Sequence, residues 1–237
     1  MAAARALRLG RMCPSSTALL VCDVQERFRP LICGFGAVAE TTRRMVKGAG
    51  ALGLPILATE QAPEKLGATI AEVELPEGVP VIAKTSFSML VPPVQQWLRD
   101  ARPTGGATSS AGRAGAPAVP AVAGGPGGAA IRSVMIVGIE AHVCVLQTAL
   151  DLLDQGYDVH LVADGVSSQR ASDRAAGLAR AAQSGAFLTT SEAAMFELCG
   201  SAKHPAFKQI SALARERPAE TLEQVAAAAM LSVSAKL

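Results

Sequence analysis

Six short apolar runs recur along this chain, at 18–22, 54–58, 79–83, 134–137, 159–162 and 186–188, each bounded by turn residues. Runs that are continuously apolar, rather than alternating, belong to strands covered on both faces, as in a parallel sheet with crossover helices. The stretches between them carry helical spacing, at 37–51, 92–100, 141–155, 168–184 and 191–199, with a further one near 205–215. After 144, for example, Val145, Leu146, Ala149, Leu152 and Leu153 are apolar while Gln147, Asp151 and Asp154 form a polar stripe. The pattern predicts an α/β domain: a doubly wound, mostly parallel six-stranded sheet with helices on both faces, in three α/β/α layers. In such sheets ligands bind outside the carboxyl ends of the strands. The residues that close each strand are therefore the ones to read for chemistry.

One segment interrupts the alternation. Residues 102–129 are low-complexity Gly, Ala, Pro and Ser, too poor in large apolar side chains to offset their ordering entropy, and are expected to form a disordered surface insertion. The domain is expected to span 9–215 around that insertion, with a tail at 216–237. The glycines do not make a phosphate loop, because no strand precedes them and no Lys-Ser/Thr pair follows. A dinucleotide fingerprint at Gly34-x-Gly36-x-x-Ala39 is equally misplaced, starting eleven residues beyond the end of the first strand.

The rest of the composition excludes classes. Net charge is +2 without a basic run and aromatics are 3% of residues, so no nucleic-acid footprint is expected. Five cysteines (13, 22, 33, 144 and 199) are scattered without a Cys-x-x-Cys pair, which argues against a disulfide framework and for a reducing compartment. No apolar stretch approaches the ~18 residues of a membrane span, so no membrane partner is expected. Arg5, Arg8 and Arg11, with no acid before Asp23, leave a mitochondrial location as the alternative to the cytoplasm.

Three strand ends hold complementary groups. Asp23 closes the first strand, Lys84 closes the third, and Cys144 follows the fourth where the next helix begins. A helix start favours negative charge, the setting in which a thiol becomes a thiolate nucleophile. A carboxylate can take the thiol proton and an ammonium can stabilise the product. Taken singly, the same residues have ordinary roles as a cap, a surface charge and a small buried hydrophobe.

Together, Asp23-x-Gln25, Lys84-Thr-Ser-Phe-Ser-Met89 and Gly138-Ile-Glu-Ala-His-Val-Cys144 resemble the isochorismatase-like cysteine hydrolases, with support from Ala58-Thr-Glu-Gln61 and His204-Pro-x-Phe-Lys208. The resemblance runs from about residue 9 to 215. It implies Asp23 as general base, Lys84 as support for the thiolate, and Cys144 as the nucleophile in hydrolysis of an amide-type C–N bond of a small molecule. It also implies a cis peptide at Ile139–Glu140 and an oxyanion hole from the N–H groups of Glu140 and Cys144. Gln25, Phe28, Glu60, Phe87 and His142 are expected around the pocket, and a homo-oligomer is expected.

Zinc-dependent nicotinamidases of this fold carry an Asp-x-His pair where this chain reads Thr59-Glu60-Gln61-Ala62, and the three histidines (142, 160 and 204) lack ligand spacing. The expectation is a site without metal or cofactor, with His160 a packing residue inside a strand. Two alternatives stand beside covalent hydrolysis: an interaction protein retaining the fold, and vinyl-ether cleavage in which Asp23 moves the proton and the cysteine is a bystander.

Overall fold

The structure is a computed structural model in which residues 9–104 and 129–216 are described. Strands β1 (Thr17–Cys22), β2 (Ile56–Gln61), β3 (Val81–Lys84), β4 (Ser133–Ile139), β5 (Asp158–Ser167) and β6 (Phe187–Thr189) form one sheet in the order β3-β2-β1-β4-β5-β6. Every neighbouring pair is parallel. The helices are α1 (Phe35–Ala51), α2 (Pro63–Leu66), α3 (Pro92–Asp100), α4 (Cys144–Asp154), α5 (Ala171–Gln183), α6 (Ser191–Cys199) and α7 (Phe207–Arg215). The doubly wound α/β/α expectation holds. Of the insertion and the tail, residues 105–128 and 217–237 lie outside the described residues.

Strand alternation divides the core into two layers. Leu19 and Val21 of β1, Ile56 and Ala58 of β2, and Met135 and Val137 of β4 pack with α1, α6 and α7. Ala18, Leu20 and Cys22, with Leu57, Val134 and Ile136, pack on the other face with α3, α4 and α5. Each fully buried Leu or Ile contributes roughly 1.5–3 kcal/mol of transfer free energy, so the two layers supply the main driving force. The expectation of strands covered on both faces fails at the sheet edges. β3 and β6 have one neighbouring strand each, and Val81 and Leu188 are exposed there.

Element boundaries differ from the apolar runs for local reasons. Leu54 donates its N–H to Ala49 O in the turn that closes α1, and β2 begins only at Ile56. β2 then runs on through the polar Thr59 and Gln61. The helix expected from 141 begins instead at Cys144, because residues 140–143 form a turn behind a cis peptide at Ile139–Glu140. Gly177 of α5 lies so close to that turn that a Cβ there would come within 2.6 Å of Ala141 O. The short helix α2 and the 3-10 turns at Glu26–Phe28 and Ala71–Val73 had no apolar signature to announce them.

The sheet order fixes where a ligand can sit. From β1 the chain winds outward through β2 and β3, then crosses back to β4 on the other side of β1. The switch point lies between β1 and β4, and the crevice opens at their carboxyl ends. Asp23 follows β1 there, and the turn leading to Cys144 follows β4.

Candidate active site

Asp23 leaves β1 in the left-handed region, with φ 51°. This turns the carboxyl into the interior, where only 1% of the residue is exposed. Each oxygen has its own donor. Thr59 Oγ1 donates to Oδ1 at 2.7 Å, and Lys84 Nζ donates to Oδ2 at 2.7 Å. Thr59 is in register with Cys22, and Gln61 with Lys84, so β2 bridges the strand of the carboxylate and the strand of the ammonium.

Lys84 is buried, and its ammonium is held by more than Asp23. Gln61 Oε1 accepts at 2.8 Å, and the carbonyls of Phe87 and Ser86 accept at 3.0 and 3.2 Å. Burial by itself would push the ammonium down. The surrounding Cys22, Asp23 and Cys144 groups outweigh it and hold Lys84 above its ordinary value. It therefore remains a cation through the neutral range.

Cys144 is the first residue of α4, and no side chain caps that helix. Among the described residues, neither the Glu140 N–H nor the Cys144 N–H has a backbone acceptor, whereas Val143 and Val145 both donate to Glu140 O. The Cys144 N–H lies at the helix start, where the dipole favours negative charge. Thr148 Oγ1 donates to Cys144 O at 2.6 Å and accepts from Met89 N at 2.9 Å, tying the segment after Lys84 to α4.

A second thiol enters the site. Cys22 lies on the same sheet face as α4 and within electrostatic reach of Cys144. Its Sγ also donates to Ile139 O at 3.3 Å and reaches Asp23 Oδ2 at 3.7 Å. Burial, then the neighbouring Cys144 thiol and the charge of Asp23, push the Cys22 thiol well above its ordinary value. Cys22, Thr59 and Gln61 are not among the site residues expected from the sequence. Strand alternation could have found Cys22, and register across β2 could have found the other two.

The expected pocket residues divide. His142 Nδ1 pairs with Ser168 Oγ at 3.0 Å, at the end of β5 beside the turn. Glu140 turns its carboxylate to the Gln169 N–H at 2.9 Å. Phe87 is exposed on the segment whose carbonyl holds Lys84. Glu60 accepts from Thr69 N at 2.6 Å. Gln25 spends its amide on backbone, donating to Gln61 O and Gly67 O and accepting from Gln61 N, so it fixes the segment after β2. Phe28 packs against the core layer of α1. His160 is buried in β5 and stacked on Phe187, with ring centroids 5.1 Å apart. Among the described residues no group of three or more His, Cys, Asp or Glu is arranged to hold a metal, and no helix is long and apolar enough to cross a membrane.

These features define a doubly wound α/β protein with a cysteine at a helix start, beside a buried carboxylate–ammonium pair at the switch point. The chain belongs to the isochorismatase family of hydrolases: the family model "Isochorismatase domain" matches residues 17–105 and 128–193. Human isochorismatase domain-containing protein 2 is 44% identical over 216 residues, covering 91% of each chain. Among solved structures, the MAR1 ribonuclease of Caenorhabditis elegans superposes with a TM-score of 0.74 at 37% identity, covering 89% of this chain and 95% of its own. The YcaC gene product of Escherichia coli, described as an octameric hydrolase of unknown specificity, shares the fold at TM-score 0.67 and 18% identity, covering 86% and 88% of the two chains.

Proposed function

We propose that this protein hydrolyses an amide-type C–N bond of a small molecule through a covalent intermediate on Cys144, without a metal. The observation that carries the reading is the thiol of Cys144 at the uncapped start of α4, in electrostatic reach of the buried Asp23–Lys84 pair. In this reading Asp23 takes the thiol proton and Lys84 balances the negative charge that remains. The thiolate attacks the carbonyl carbon, and the oxyanion is received by the N–H groups of Glu140 and Cys144. The C–N bond breaks as the amine leaves with a proton from Asp23. Water then hydrolyses the thioester, with Asp23 again as base. Small-molecule rather than polymer substrates fit a nucleophile that is 7% exposed. Assembly into a homo-oligomer belongs to the same proposal.

Exposure supplies the test. Cys13 is exposed, so it is the thiol that accessibility alone would label first. With limiting iodoacetamide at neutral pH, peptide mapping should show Cys144 labelled faster than Cys13. A carboxamide library should leave an acyl mass on Cys144, and Cys144→Ala should abolish both adduct and turnover while retaining the fold. RNA is the control substrate, given the ribonuclease name carried by the C. elegans relative. Labelling of Cys13 ahead of Cys144, or turnover by Cys144→Ala at the parental rate, would refute covalent catalysis and leave Asp23-driven proton transfer as the route.

A further inference from the structure

Hydrolysis needs one thiol, and the site contains two. We propose that Cys22 and Cys144 form a redox pair, a dithiol that hydroperoxides convert to an intramolecular disulfide and so switch the site off reversibly. The proposal rests on Cys144 being the reactive thiol, as above, and adds a role for Cys22 that hydrolysis does not require.

The structure puts these two thiols on one face of the sheet. Strand alternation sends the Cys22 side chain to the α3–α4–α5 face with Ala18 and Leu20, the face on which Cys144 begins α4. Its thiol is anchored on Ile139 O at 3.3 Å, the carbonyl that precedes the turn to Cys144, and lies within electrostatic reach of the Cys144 thiol. Cys199 lies in the opposite core layer and Cys13 is exposed ahead of β1. Cys22 itself has no solvent exposure, so it cannot be a substrate contact.

The chemistry assigns the two thiols different parts. With its proton taken by Asp23, the Cys144 thiolate attacks the terminal oxygen of the hydroperoxide. The O–O bond breaks, Cys144 becomes a sulfenic acid, and the alkoxide leaves as alcohol with the proton from Asp23. Cys22 sulfur then attacks the Cys144 sulfur. An S–S bond forms, the S–O bond breaks, and hydroxide departs with the Cys22 proton as water. In sum, two thiols and one hydroperoxide give one disulfide, one alcohol and one water. The order follows from burial: a thiol held protonated in the core is a poor first nucleophile toward peroxide but can resolve a sulfenic acid beside it. Asp23 Oδ2, 3.7 Å from Cys22 Sγ, is placed to receive the proton as that attack occurs.

The experiment uses the full, reduced chain. Cys144 alkylation is measured first without oxidant, then after near-stoichiometric hydrogen peroxide, followed by peptide mapping without reductant. The expected result is a cross-linked peptide containing Cys22 and Cys144, with alkylation of Cys144 reduced at least about tenfold and restored by a phosphine reductant. In Cys22→Ala, or Cys22→Ser where the alanine variant misfolds, Cys144 should instead accumulate as dimedone-trapped sulfenic acid and pass to sulfinic acid that the reductant does not recover. A folded parent protein whose Cys144 alkylates rapidly, yet over-oxidises without a 22–144 cross-link, overturns the redox pair and leaves the hydrolase reading intact. Slow alkylation of Cys144 with no cross-link overturns both.

Discussion

Replacing Lys84 with Met keeps the aliphatic stem and removes the charge, leaving the Asp23 carboxylate buried without its cation. Both side chains are essentially inaccessible, at 0% and 1% exposure, so water cannot substitute for the ammonium. Breaking one side of a buried ion pair costs about 3–5 kcal/mol. Thr59 continues to donate to Asp23, which favours the lower part of that range. The acceptors on Gln61 and Phe87 also lose their donor, which adds to it. A loss of about 4 kcal/mol at pH 7 is the expected sum. The variant can escape part of the cost by protonating the stranded carboxylate, so the deficit should shrink with acidification, by up to about 1.4 kcal/mol per pH unit. Urea unfolding of the parent, Lys84→Met, Asp23→Asn and the double variant at pH 7 and pH 5 measures both effects. Removing both charges should cost about 2–3 kcal/mol less than the sum of the single changes. A Lys84→Met loss under about 1 kcal/mol, or a double variant no better than additive, would refute the view that this pair is a desolvated, mutually dependent unit.

Three further outcomes follow from the same geometry. Thr59→Val removes the hydroxyl on Asp23 Oδ1 while keeping the shape; it should lower stability by about 1.5–3 kcal/mol and slow Cys144 alkylation, with Thr59→Ser restoring both, as read by urea unfolding and labelling. Gly138→Ala demands φ 117° of an L side chain and brings a Cβ to 2.0 Å from Cys22 O, so thermal unfolding should show a loss of at least about 2 kcal/mol. Burial lowers the pKa of His160 below its ordinary value, so its contribution is present above the unfolded value of ~6.5 and is lost as pH falls through the folded one. His160→Leu should therefore show a smaller drop in melting temperature between pH 7.5 and pH 5.5 than the parent, and an equal drop would refute the assignment.

The strands were readable because parallel strands buried on both faces tend to be continuous in apolar residues, and the central β1 and β4, buried throughout, carry no polar side chain after Thr17 and Ser133 at their starts. The reading weakened where a strand did something besides filling the core. β2 carries Thr59, Glu60 and Gln61 beyond its apolar part because those residues serve the site, and β5 continues past a register shift between Ile136 and Gly138. Asp23 and Lys84 could be read from their places at strand ends, because topology alone brings strand ends to one edge.

What topology does not encode is which neighbours then satisfy those charges. Lys84 reaches Asp23 across β2, so the β2 residues that face the pair must be polar or it would lie against hydrocarbon. Thr59 and Gln61 meet that requirement, and nothing in their local sequence distinguishes them from an ordinary strand end. Cys22 was hidden for the opposite reason: a cysteine inside an apolar run is the expected small core residue, and its thiol acquires meaning only because the chain returns 122 positions later with a second thiol on the same face. The same alternation that makes Cys22 a core residue puts it on the α4 face, while the left-handed turn at Asp23 brings the next side chain to the same place. Two consecutive residues of a strand normally point to opposite faces; here the backbone conformation at Asp23 lets both serve one site.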